Sequence, residues 1–98
     1  MKNQFNSMDY STELLEKIRD LAEKLTTISE ISVLLDIDER ELRDDISTYG
    51  SDARRAFLGG CAKTALEIRK RNLELSQAGS PAADEAVRSY LRKMLDEI

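Results

Sequence analysis

The chain has no histidine, and with it go the commonest general base near neutral pH and the commonest metal ligand. Hydrolytic triads and zinc sites are thereby excluded. Its single cysteine, Cys61, cannot form an internal disulfide and reads as a small core residue rather than a nucleophile. Long apolar runs are also missing: nothing approaches the ~18 residues of a membrane span, and no basic-then-apolar leader precedes the first helix. A cytoplasmic chain that does not cross a membrane is expected. β-branched residues are scattered and no run alternates apolar with polar, so no strand is predicted. Nineteen acids in a 35% charged chain are the solvated faces of helices. They form no catalytic constellation, and neither a cofactor site nor a metal site is expected.

What is present is helical. Ninety-eight residues with 41% hydrophobic content make one domain with a modest core, near the lower bound for independent stability, so a partner or oligomer matters. Residues 1–10 are read as a flexible N-terminus. From Ser11 to Leu25, Leu14, Ile18, Leu21 and Leu25 follow the 3.6-residue period, with Leu15 and Ala22 beside them. Helices over Ile28–Leu35 and Glu39–Thr48 follow. Gly50 then stands as a C′ residue, and Ser51 caps the next helix. Asp52–Ala78 reads as helix interrupted at Gly59-Gly60, where two glycines cost about 1 kcal/mol each relative to alanine and predict a kink or break. Gly79, Ser80 and Pro81 mark a helix end, a cap and a first turn, and the last helix runs to near Ile98.

The segment Thr27–Ile46 has the spacing of a helix-turn-helix. Ile31, Leu34 and Leu35 give its first helix an inward face, Asp36-Ile37-Asp38 makes the corner, and Leu42 and Ile46 anchor the second helix at i, i+4. Ser32 sits where the two helices cross most closely. Thr27-x-x-Glu30 and Asp38-x-x-Glu41 are capping boxes. With Leu42 and Ile46 inward, Arg40, Arg43, Asp44 and Ser47 point outward, a set able to contact DNA because arginine is the preferred donor to guanine and serine is permissive. The alternative is a solvated face on which the arginines pair with Asp44, Asp36 or Glu39.

In the second half, Phe57, Cys61, Ala65, Ile68 and Leu75 make one apolar stripe and Leu58, Ala62, Leu66 and Leu73 another. Together they exceed the ~100° that one core needs. Either this helix lies centrally in the fold, or Leu58, Ala62, Leu66 and Leu73 form an oligomer interface. Ala83, Val87, Tyr90, Leu91, Met94 and Ile98 give the last helix an apolar face suited to a helical hairpin. The expected architecture is therefore all-α: a three-helix helix-turn-helix unit over residues 11–50 and a helical hairpin over 51–98. Charge is unevenly shared. Residues 1–49 hold six Lys/Arg against twelve Asp/Glu, a balance of −6, and residues 50–98 hold nine against seven, a balance of +2. An acidic first half opposes nucleic-acid binding, because phosphate contacts supply most of such affinity.

The helix-turn-helix followed by Phe57, Gly59-Gly60, Leu66-Glu67-Ile68-Arg69 and Gly79-Ser80-Pro81-Ala82-Ala83 resembles the small-subunit family of phage terminases, over about residues 11–95. The resemblance implies a non-enzymatic DNA-packaging subunit that binds double-stranded viral DNA, assembles into a homo-oligomeric ring and hands DNA to the large terminase ATPase subunit. The motif corner in such units usually carries glycine because it needs φ > 0, and Asp36 stands there. Two rivals remain at this stage: a small helix-turn-helix transcription regulator acting as a dimer, and a protein-interaction module whose acidic first half meets a basic partner.

Overall fold

The computed structural model describes residues 9–98, which form α1 (Thr12–Glu23), α2 (Ile28–Leu35), α3 (Glu39–Ser47), α4 (Asp52–Gln77) and α5 (Pro81–Asp96). The described residues contain no strand, and none of their helices is long and apolar enough to cross a membrane. The expectation of a flexible N-terminus falls, for residues 1–8, outside the described residues. Two compact units divide the chain at Thr64/Ala65, within α4.

The first unit is organised around Ile18, Ile31, Leu42, Ile46, Ala53 and Ala56, with Tyr10, Leu14, Leu15, Leu21, Ile28, Leu35, Ile37 and Phe57 packed against them. Ile18, Ile31 and Leu42 are fully buried, which is worth about 1.5–3 kcal/mol each. Local signals start each helix. Ser11 Oγ accepts from Leu14 N, and Thr27 and Glu30 close a complete capping box. Asp38 Oδ1 accepts from Glu41 N at 3.0 Å, but the return bond from Asp38 N to the Glu41 side chain is missing, so the second expected box is half formed. Ser51 Oγ accepts from Arg54 N at 3.0 Å and starts α4.

Three of the five helices end alike. In α1, α2 and α4 a residue just past the last helical residues turns left-handed and two reversed hydrogen bonds close the end, the Schellman arrangement. Thr26 N donates to Leu21 O, Ile37 N to Ser32 O and Ser80 N to Leu75 O, at 3.0, 2.9 and 3.0 Å. The left-handed residues are Leu25 (φ 64°), Asp36 (φ 56°) and Gly79 (φ 101°). Asp36 thus does what the corner requires. Leu25, expected on the inward stripe of α1, instead lies beyond the helix end and is exposed, because the Schellman closure turns it out of the helical period.

Leu34, expected on the inward face of α2, is 63% exposed. The inward positions are Ile28, Ile31, Ser32 and Leu35, and Leu34 stands roughly 110° from their centre on a 100° wheel. Gly59-Gly60 does not break the helix, since α4 runs through it without interruption. Instead the pair admits α1: a Cβ on Gly60 would collide with the carbonyl oxygen of Arg19 and lie 2.9 Å from both Ala22 Cβ and Glu23 N. The close crossing is further held by Thr64 Oγ1, which donates to Glu23 O, and by Lys63 paired with Glu23 at 3.3 Å.

The second unit is an antiparallel hairpin. Ser76 Oγ donates to Asp84 Oδ1 at 3.0 Å near the turn, and Arg69 lies over the Tyr90 ring at 5.5 Å farther along both helices. Gly79, Ser80 and Pro81 make the turn as expected, with Ser80 Oγ accepting from Ala83 N at 3.3 Å. Asp84 also accepts from Arg88 Nε at 2.9 Å, and this guanidinium first, then Ser76, holds the Asp84 carboxyl below the ordinary carboxylate range.

Candidate nucleic-acid interface

The surface of interest is carried by α2, the left-handed turn and α3. Ser32 is 4% exposed and its Oγ donates to Ser29 O at 2.7 Å, so a small side chain fills the position and its hydroxyl is satisfied. Leu42 and Ile46 are buried beneath α3, and the C-terminal carbonyl of Ile46 accepts from Arg54 Nη1 at 3.0 Å. With that side anchored, Arg40, Arg43, Asp44 and Ser47 all lie on the exposed side of α3, as the wheel predicts. Glu39, Arg40, Arg43 and Asp44 line an open hollow of about 370 Å³.

The two arginines are not equivalent. Arg43 Nη2 donates to Glu39 Oε2 at 2.7 Å and to Ser29 Oγ at 3.1 Å, while Ser29 Oγ donates to the same Glu39 oxygen at 2.9 Å. Three side chains from the first turns of α2 and α3 and the middle of α3 therefore close on one another. The hydrogen bond from Arg43, followed by that from Ser29, keeps the Glu39 carboxyl ionised below its ordinary range. Arg40 forms no ion pair among the described residues. The wheel placed both arginines outward; the pairing with Glu39 follows from their i, i+4 spacing, but Ser29 lies ten residues before Glu39 and no local pattern points to it.

Beside this cluster, Thr26, Ser29, Glu30, Val33 and Leu34 line a hollow of about 590 Å³, and Val33 is 79% exposed. The sequence pattern, which turns Leu34 inward, gives no sign of an apolar patch on this side of α2. The proposed assembly stripe is exposed too. Leu58 and Ala62 in the first unit, and Leu66 and Leu73 in the second, are all exposed, the two last at 50% and 47%. Between Ala65 and Ile98 only Ala83 is buried, and Leu91, Met94 and Leu95 add to the open apolar surface.

No group of three or more histidine, cysteine, aspartate or glutamate side chains is arranged to hold a metal ion among the described residues. Comparison with protein-family models, with curated proteins and with solved structures finds no match to this chain.

Proposed function

We propose that the chain is a helix-turn-helix DNA-binding subunit of the terminase small-subunit type, which contacts double-stranded DNA through α3, assembles with copies of itself and delivers DNA to a large ATPase subunit. The observation that carries the reading is the join between α2 and α3. A left-handed Asp36 and a capping Asp38 separate the helices by three residues, Ser32 lies buried on the inward side of α2, and Leu42 and Ile46 turn inward. Arg40 is thereby left outward and unpaired among the described residues. The exposed Leu58, Leu66 and Leu73, with the smaller Ala62 among them, support self-association, because a monomer seldom leaves such an apolar patch in water.

The test is a fluorescence titration of duplex DNA by wild type and Arg40→Ala between about 50 and 200 mM salt. Binding should weaken as salt rises, with each phosphate contact adding about −0.9 to the slope of log affinity on log salt. Loss of Arg40 should cost about 1–3 kcal/mol if it reads a base. Failure of the wild type to bind duplex at the lowest salt would reject the proposal.

A second reading, a protein-interaction module for a basic partner, is favoured by a specific observation. Val33 and Leu34 present an apolar patch on a half-chain whose charge balance is −6. In that case the Val33→Ser, Leu34→Ser double variant loses its protein partner while wild type and variant alike ignore DNA.

A further inference from the structure

We propose that Ser29 and Glu39 are a catch that holds Arg43 off its nucleic-acid target, so that Arg43 engages DNA only after leaving Glu39. This rests on the DNA-binding reading of α3 and assigns a regulatory role to two residues outside the expected contact set. Its basis is the stereochemistry of the guanidinium, which presents five N–H donors in a fixed fork. A two-pronged contact with guanine or phosphate uses either Nε with Nη2 or Nη1 with Nη2. Both edges contain Nη2. In this structure Nη2 is the very atom spent on Glu39 Oε2 at 2.7 Å and on Ser29 Oγ at 3.1 Å. The closed cluster and a bidentate Arg43 contact therefore compete for the same nitrogen.

The cluster is also self-sufficient. Ser29 Oγ donates to Glu39 Oε2 at 2.9 Å while accepting from Arg43, so each of the three side chains has a partner without solvent or ligand. Arg40 differs in forming no ion pair among the described residues. The two arginines thus divide the work: Arg40 is open to a first, salt-sensitive encounter, and Arg43 adds a contact only where the duplex offers enough to replace Glu39 and Ser29. A side chain that must be released before it reads a base discriminates between sites, because a poor site fails to meet the release cost. The catch is exposed to water, and ion pairs of this kind are weak; the effect to expect is up to about fivefold in affinity.

The experiment is a double-mutant cycle of Glu39→Gln and Arg43→Ala, read by fluorescence titration on duplex DNA at low salt, with Ser29→Ala as a further arm. Glutamine keeps the length of the side chain and removes the charge that grips Arg43. Glu39→Gln should tighten binding by about two- to fivefold, Ser29→Ala should tighten it less, and Arg43→Ala alone should change it less than about twofold. Combined with Glu39→Gln, Arg43→Ala should abolish the gain. A gain that survives in the double variant would be simple loss of a negative charge and would overturn the catch. An equal loss from Arg43→Ala in both backgrounds would do so as well, since Arg43 would then be engaged from the outset. Looser binding by Glu39→Gln would mean that Glu39 steadies Arg43 for readout, again against the proposal. In these three outcomes wild type still binds and the DNA-binding reading stands; a wild type that does not bind duplex at the lowest salt brings both down together.

Discussion

Asp45 lies within α3 yet is almost fully buried, and the side chain that makes this tolerable comes from Tyr10, 35 residues earlier. The Tyr10 hydroxyl donates to Asp45 Oδ2 at 2.6 Å, a charge-assisted hydrogen bond that fastens the segment before α1 onto α3. Burial first, then this hydrogen bond, then the charges of Asp45 and Glu41 push the Tyr10 phenol above its ordinary range. The folded value is therefore higher than the unfolded one. Stability from this group is fully present below the ordinary phenol value of about 10 and drains away as pH rises through the folded value. Tyr10→Phe should cost about 1.5–3 kcal/mol at neutral pH, because Asp45 loses its donor. Urea titrations at about pH 7 and 11 check both parts: the gap between the two proteins should narrow in alkali. A constant gap would leave packing, not the hydrogen bond, as the role of the ring.

At the scale of the helices, the glycine pair of α4 separates two uses of one residue type. Gly60 faces backbone: an added methyl meets the Arg19 carbonyl, Ala22 Cβ and Glu23 N, none of which can swing away. Gly59 faces only the guanidinium of Arg19, the far end of a flexible side chain. Alanine is worth about 1 kcal/mol over glycine within a helix. Gly60→Ala should nonetheless destabilise the fold by about 1–3 kcal/mol, as overpacking does. Gly59→Ala should fall within about 1 kcal/mol of wild type, the gain in helix propensity offsetting the displaced arginine. Denaturant titrations of the two variants would place them on opposite sides of this divide, and equal effects would deny that Gly60 is the contact on which α1 and α4 close. The same crossing carries Thr64 on Glu23 O, which gives the carboxyl end of α1 a donor in place of the basic residue its last turn lacks.

For the whole molecule the uneven distribution of burial is the governing fact. The first unit has a continuous core from α1 to α4, whereas residues 65–98 bury Ala83 alone and leave Leu66, Leu73, Leu91, Met94 and Leu95 substantially in water. A two-helix unit of this length does not reach the burial that independent folding needs. Association should supply it. Light scattering over a concentration series should show assembly of the wild type, and Leu66→Glu or Leu73→Glu should shift it toward the monomer while the helical spectrum is kept. A wild type that stays strictly monomeric at high micromolar concentration would remove the assembly part of the proposed function. Loss of the fold in both variants would instead show these leucines to be core.

The sequence alone determined what hydrogen bonds within one turn can encode. Thr27 with Glu30, Ser51, and Gly79-Ser80-Pro81 set helix boundaries that the structure reproduces, α2 to the residue, because a cap and its target lie three positions apart in the chain. Asp36 was legible for the same reason, as a corner that must turn left-handed. Burial of Ile18, Ile31, Leu42 and Ile46 followed from periodicity, as did the exposure of Arg40, Arg43, Asp44 and Ser47. Tertiary structure decided the rest. Leu34 is a leucine on a helix with four other aliphatic residues, and only the direction from which α1 and α3 approach selects which of them stay outside. Gly59-Gly60 carries a local signal for a broken helix, and the packing of α1 against it outweighs that propensity. The bonds of Ser29 to Glu39 and Arg43 and the Tyr10–Asp45 bond join side chains 10 to 35 residues apart, distances at which the chain has no local pattern and only folding brings the partners together.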